Sequence, residues 1–196
     1  MNSDKQCYMD FVTKIFSTKW EHGYKLLYLA ILICFSIISY YHLNFGFEMS
    51  PDSYTYSEWA DDLIKLDFNL YSYYSQNTFI SPNYIYTIPV LLIALSKFFF
   101  GTEWQYAFMI FNLILVFFSL IIFSNSLLIL KVRPLIISLA MPLLTLSVDF
   151  LTWPRYILTD VIFSFLVMLS IYLIIKGIIK EKFDFLPLFF IIILLF

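Results

Sequence analysis

Long apolar runs separated by one strongly polar interval set the expected architecture of this chain. Leu26 to Leu43, Tyr106 to Leu130, Pro134 to Phe150 and Ile157 to Ile175 are each apolar and long enough to be read as membrane spans. Pro142 predicts a bend in the third of these. Tyr84 to Phe100 is also apolar but short, carries Pro89 and closes on Gly101. Phe183 to Phe196 is apolar to the last residue. At ~1.5 Å per residue it falls short of a ~30 Å hydrocarbon core. The chain therefore reads as a fragment or a truncated reading frame that stops inside a helix.

The polar interval is Ser50 to Asp67, SPDSYTYSEWADDLIKLD. Tyr56, Trp59, Ala60 and Leu63 recur at helical spacing, and Glu58, Asp61, Asp62 and Lys65 fill the remaining turns. That pattern predicts an amphipathic helix lying along the membrane surface, its rings at headgroup level and Asp52 at its mouth. Asn69 to Tyr84, rich in Tyr, Ser and Asn and punctuated by Pro82, reads as an ordered interfacial loop.

Composition narrows the class. The 196 residues are 61% hydrophobic and only 13% charged, with four glycines, and the mean hydropathy is +0.83. A soluble domain is nearer half apolar and a quarter charged, so the expected fold is an all-α, polytopic membrane helical bundle. The net charge of −2 and the lack of a basic cluster give no footing to nucleic-acid binding. Cys7 and Cys34 lie in the N-terminal arm and inside an apolar run, and form neither a disulfide framework nor a metal pattern.

Charge then orders the topology. Residues 1–25 form a mixed arm with Lys5, Lys14, Lys19 and Lys25, and the following run has no small-residue cleavage site, so 26–43 is read as an uncleaved first transmembrane helix. If 84–100 crossed fully, Lys131, Arg133, Lys176, Lys180 and Lys182 would all fall outside. If it is an interfacial or re-entrant helix within an extracytoplasmic loop spanning 44–105, all of these join the arm lysines inside, leaving Lys65, Lys97 and Arg155 outside. The positive-inside bias selects the second arrangement. The rest, 106–196, is then a transmembrane bundle, and Asp52, Asp149, Arg155 and Asp160 share the outer face of a plasma (inner) membrane protein whose N-terminus is cytoplasmic.

Candidate chemistry gathers at that face. Asp52, after Pro51, is both a good helix-start residue and a fixed, open carboxylate, and the two roles are compatible. Asp160 enters a span, where an ionisable group is costly without a use, although it can also cap the helix. Arg155 supplies a permanent cation whose fork suits phosphate, or anchors at headgroups. Tyr56, Asp149 and His42 are further site-lining candidates, and Lys97 is read as snorkelling. Asn112 and Ser124 to Ser126 are read as interhelical hydrogen-bonding groups. No glycine-rich phosphate loop, HExxH or GxSxG is present. No cofactor is called for: Asp52 and Asp160 can share a divalent ion, but no ligand spacing demands one.

Taken in order, an N-terminal span, PDS-x-x-Y-x-x-x-A (Pro51, Asp52, Ser53, Tyr56, Ala60), a proline-led apolar helix closing on FFG (Pro82 to Gly101), two spans, and Thr159-Asp160 opening the next resemble a known family. The chain looks like the N-terminal part of the GT-C membrane glycosyltransferases of the protein O-mannosyltransferase and aminoarabinose-transferase type, over roughly residues 24–180. The resemblance implies a polyprenyl-phosphate sugar donor and a lipid, glycan or protein acceptor. It implies Asp52 as the general base and Asp160 as the later acidic residue that shapes the site. Ser53 stands where the family often carries a second acid, and Arg155 has no family counterpart, so its phosphate role rests on charge and location. Two other readings stand beside the enzyme: a membrane carrier for a lipid-linked glycan, and a non-catalytic truncated remnant.

Overall fold

A computed structural model describes residues 3–76, 86–147, 151–157 and 160–180. Among the described residues it is all-helical, with no strand beyond one isolated bridge. The helices are α1 (Ser3–Phe45), α2 (Pro51–Lys65), α3 (Leu70–Gln76), α4 (Thr87–Phe100), α5 (Trp104–Ile129), α6 (Pro134–Thr145) and α7 (Asp160–Lys180). Three helical stretches are long and apolar enough to cross a membrane: His22–Phe45, Thr87–Ile129 and Asp160–Ile179.

The bundle has two ends of opposite character. Near the start of the first apolar stretch, Gly23 lies so close to Pro134 that an added Cβ would stand 3.3 Å from the proline ring. Further along α1, Leu27, Ile31 and Cys34 pack with Leu120, Ile137 and Met141 of α5 and α6. Ile38 then meets Leu113, Val116 and Val161, and just past the helix Phe47 sits edge-on to Tyr106. α5 therefore runs antiparallel to α1, and α6 runs alongside α1. Lys25, Lys131 and Arg133 fall at one end; the acid-rich α2 falls at the other.

At that second end the chain is folded into a cap. α2 opens with a capping box in which Ser50 and Ser53 each accept a hydrogen bond from the other's backbone N–H, with Pro51 at the first helical position. The N-cap is thus Ser50, and Asp52, read from the sequence as a helix-start residue, sits one position inside Pro51 and exposed to solvent. The amphipathic pattern holds: Tyr56, Ala60 and Leu63 are buried, while Glu58, Asp61, Asp62 and Lys65 are exposed. Asp67 and Phe68 both take positive φ, turning the chain sharply into α3. The Asn69 side chain accepts from the Ser72 N–H there, so part of the expected loop is a short helix.

α4 packs on both α2 and α5. Ala60 and Ala94, both fully buried, let α2 and α4 approach closely. Tyr86, before α4, stacks on Tyr56 and Trp59, while Lys97 near its other end bonds α2. Both ends of α4 thus stay beside α2. Gly101, at φ 54°, provides a left-handed break that few side chains tolerate, and the chain folds back into α5. Leu92 and Phe99 of α4 and Ile110 and Ile114 of α5 line one open apolar groove of about 510 Å³. At 14 residues, α4 is roughly 21 Å long, against roughly 39 Å for the 26 residues of α5.

Two expectations change. α6 ends at Thr145, so its 12 residues reach only about 18 Å of the span expected from Pro134 to Phe150; Val148 to Phe150 are not among the described residues. Ser124 and Ser126 do not bond across helices. Each donates to the carbonyl four residues back, Leu120 and Ile122, which satisfies a hydroxyl inside an apolar helix without a partner helix.

Candidate functional site

The acidic end brings together the starts of three elements. Asp52 lies in the first turn of α2, Tyr86 just before α4, and Asp160 at the first residue of α7. Tyr56, one turn along α2 from Asp52 and only 8% exposed, lies within electrostatic reach of all three. Tyr56 packs against Tyr86, their rings 5.1 Å apart, and Trp59 completes an aromatic trio. Burial above all, then Tyr86, then the carboxylates of Asp52 and Asp160, push the Tyr56 phenol up to about 12. Both carboxylates are therefore close enough to Tyr56 to act on it. A phenol held this way keeps its proton, and remains a donor, far above neutral pH.

Arg155 does something the sequence did not disclose. Gly46, in the left-handed conformation at φ 68°, ends α1 with its N–H on the His42 carbonyl. Arg155 Nε donates to the Gly46 carbonyl at 3.0 Å and Nη2 to the Phe45 carbonyl at 3.3 Å. The same nitrogen stands 3.5 Å from Glu48, and the guanidinium lies over the rings of Tyr41 and Phe45. A fixed cation at the C-terminus of a helix complements its dipole. Much of the fork expected to meet a phosphate is engaged with α1.

The other candidates are distributed as follows. His42 is fully buried, edge-on to Tyr41, inside the packing rather than at the open mouth. Asp149 and Thr159 lie outside the described residues. Lys97 does not snorkel into solvent. Its Nζ donates to the Ser57 carbonyl at 2.8 Å and pairs with Asp61 at 2.6 Å, above the ring of Trp104. Asp61, expected on the solvated face, is half exposed yet tied to α4 through that lysine. Among the described residues no three His, Cys, Asp or Glu side chains converge as metal ligands would. The Asp52 and Asp160 carboxylates are the acidic groups whose charge reaches Tyr56.

Tyr86, Lys97 and Asn112 make contacts at this end that the sequence reading did not give them. Tyr86 carried one available signal: a ring immediately ahead of an apolar helix, where an interfacial aromatic can turn inward.

Among the described residues, an all-helical fold with three membrane-length apolar stretches, and two carboxylates within electrostatic reach of a buried tyrosine at one end, is the class that fold and site define. Comparison with known protein families, characterised proteins and solved structures finds no match to it.

Proposed function

We propose that this chain is a membrane glycosyltransferase of the GT-C kind, or the N-terminal portion of one. It transfers a sugar from a polyprenyl-phosphate donor to a lipid, glycan or protein acceptor at the outer face of the plasma membrane. The N-terminal lysines lie on the cytoplasmic side, and the cap of α2, α3 and α4 rests at the outer interface. Asp52 is the general base that takes the proton of the acceptor hydroxyl as that oxygen attacks the anomeric carbon and the lipid phosphate leaves. Asp160 adds a second carboxylate to the site, and the Tyr56 phenol stays protonated within the field of both.

The observation that carries this reading is that Asp52 and Asp160 both lie within electrostatic reach of one buried phenol, at the end of the bundle away from Lys131 and Arg133. A sugar on a lipid phosphate presents its head at that level. Its leaving group is already good, so a base beside the acceptor is the main chemical need. Serine capping of α2 is independent of the Asp52 carboxylate, so Asp52→Asn removes the base and leaves the helix start intact.

The test is sugar transfer in membranes carrying the full-length protein, with a radiolabelled polyprenyl-phosphate sugar pool. Asp52→Asn is expected to lower transfer by roughly 10²–10⁴-fold at unchanged protein level, the usual worth of general-base assistance. Normal transfer by that variant would remove Asp52 from the mechanism. Cysteine labelling from outside the cell at positions 52 and 160 tests the topology, since access from opposite compartments would rule out a shared pocket.

A further inference from the structure

We infer that Asn112, in the apolar body of α5, is a positioning residue that holds the lead-in to α7 and so sets where Asp160 stands relative to Tyr56 and Asp52. This rests on the reading above, in which those carboxylates form the site.

Asn112 is fully buried among apolar side chains. Its amide nitrogen faces two backbone carbonyls, Pro154 at 3.4 Å and Tyr156 at 3.3 Å. Both partners are acceptors, which fixes the nitrogen as the end that points there. The carbonyl between them, Arg155, accepts from the Glu48 N–H at 2.9 Å. Three consecutive carbonyls, 154 to 156, are thus captured from two directions: the outer two by α5, the middle one by the segment after α1. Asp160 follows four residues beyond Tyr156.

Burying an amide in an apolar helix is costly unless its hydrogen bonds are made. The Asn112 Oδ1 has no partner among the described residues, so its polar stabilisation there comes from these two carbonyls. The buried serines of α5 satisfy themselves differently. Ser119 and Ser124 donate to their own helix, four residues back. Asn112 alone among these reaches out of α5 to another segment, and that segment precedes α7 and its Asp160.

The test exploits this contrast. In the full chain, with Cys7 and Cys34 replaced by serine, spin labels at the exposed positions Tyr54 on α2 and Phe163 on α7 report the distance between the two halves of the site. Asn112→Ser removes both donors to the segment while its hydroxyl bonds back to the Phe108 carbonyl, keeping the interior satisfied. It is expected to broaden and lengthen the label distance. Asn112→Gln, which retains two N–H donors, is expected to keep it narrow. In the transfer assay Asn112→Ser should lower kcat by about 10²-fold with KM little changed, as displacement of a reacting group does.

A label distance in Asn112→Ser identical to that of the unsubstituted chain would overturn the inference, as would a Gln variant displaced as far as the Ser variant. Displaced labels in a chain that transfers no sugar even when unsubstituted would sink the transferase reading and leave the positioning role standing. Active transfer, unchanged by Asn112→Ser and with labels unmoved, would sink the positioning role alone.

Discussion

The phenol of Tyr56 gives the site a signature that can be read without knowing any substrate. In an unfolded chain this group ionises near 10; in the folded protein burial, Tyr86, Asp52 and Asp160 raise it to about 12. Between those values the folded state retains a proton that the unfolded state has released, so stability must fall as pH rises. Stability conferred by the protonated phenol is complete below pH 10 and is lost as pH passes through about 12. Two pH units of separation correspond to at most about 2.7 kcal/mol. Water at the site mouth screens the carboxylates, which brings the expected loss to roughly 1–2 kcal/mol. Tyr56→Phe, which keeps the ring and deletes the proton, isolates this effect from the other tyrosines. Chemical denaturation of both proteins in detergent from pH 9 to 12.5 should give curves that converge as the pH rises, and phenolate absorbance should show one fewer late-titrating group in the variant. Asp52→Asn and Asp160→Asn should each bring that late titration to lower pH, Asp52→Asn by more, because its carboxylate acts on the phenol more strongly. If the two stability curves ran parallel through this range, or if Asp160→Asn left the phenol unmoved, the three-element cluster would not exist.

Other outcomes follow from the cap. Lys97→Met removes a charge-assisted bond to the Ser57 carbonyl and the pair with Asp61, and is expected to destabilise by about 2 kcal/mol. Asp61→Asn should cost under about 1 kcal/mol because Asp61 is half exposed. A denaturation double-mutant cycle checks the order, and a larger cost for Asp61→Asn would show the lysine's main partner to be misassigned. Ser50→Ala should cost about 1 kcal/mol through loss of the α2 cap, read as a lower unfolding midpoint. Gly101→Ala, forced to φ 54°, should cost about 1–2 kcal/mol; an unchanged midpoint would mean that the α4–α5 reversal does not depend on that conformation.

Periodicity carried much of the fold. The stripe of Tyr56, Ala60 and Leu63 marked α2 because one amphipathic helix buries one face, whatever lies opposite. The long apolar runs marked α1, α5 and α7 because length and hydropathy are local properties. What could not be read were long-range pairings. Arg155 looked like a free cation because nothing local discloses that the carbonyls it caps lie 109 and 110 residues earlier. Lys97 looked like a snorkelling residue for the same reason: Asp61 is 36 positions away, on a face that pattern alone assigns to water. Asn112 was read as a hydrogen-bonding group between helices, and its partners proved to be backbone carbonyls of the short turn ahead of α7. Serine is ambiguous in principle, since a helix can satisfy its hydroxyl internally. Asp52 and Asp160 stood out in the sequence as candidate residues, whereas the contact of Tyr86 with Tyr56 became visible only once α4 was laid against α2.

The stitch between Arg155 and the end of α1 has a consequence for how the chain is made. Ribosomes add residues at ~5–20 per second. The carbonyl of Gly46 therefore waits for a partner 109 residues downstream for roughly 5–20 seconds of synthesis. Throughout that interval the first helix has its polar end uncovered, and Glu48 has no carbonyl to meet. Whatever machinery inserts the nascent polypeptide must shelter that end until the last lead-in emerges, so a translational pause placed before codon 155 would lengthen the most vulnerable stage of assembly.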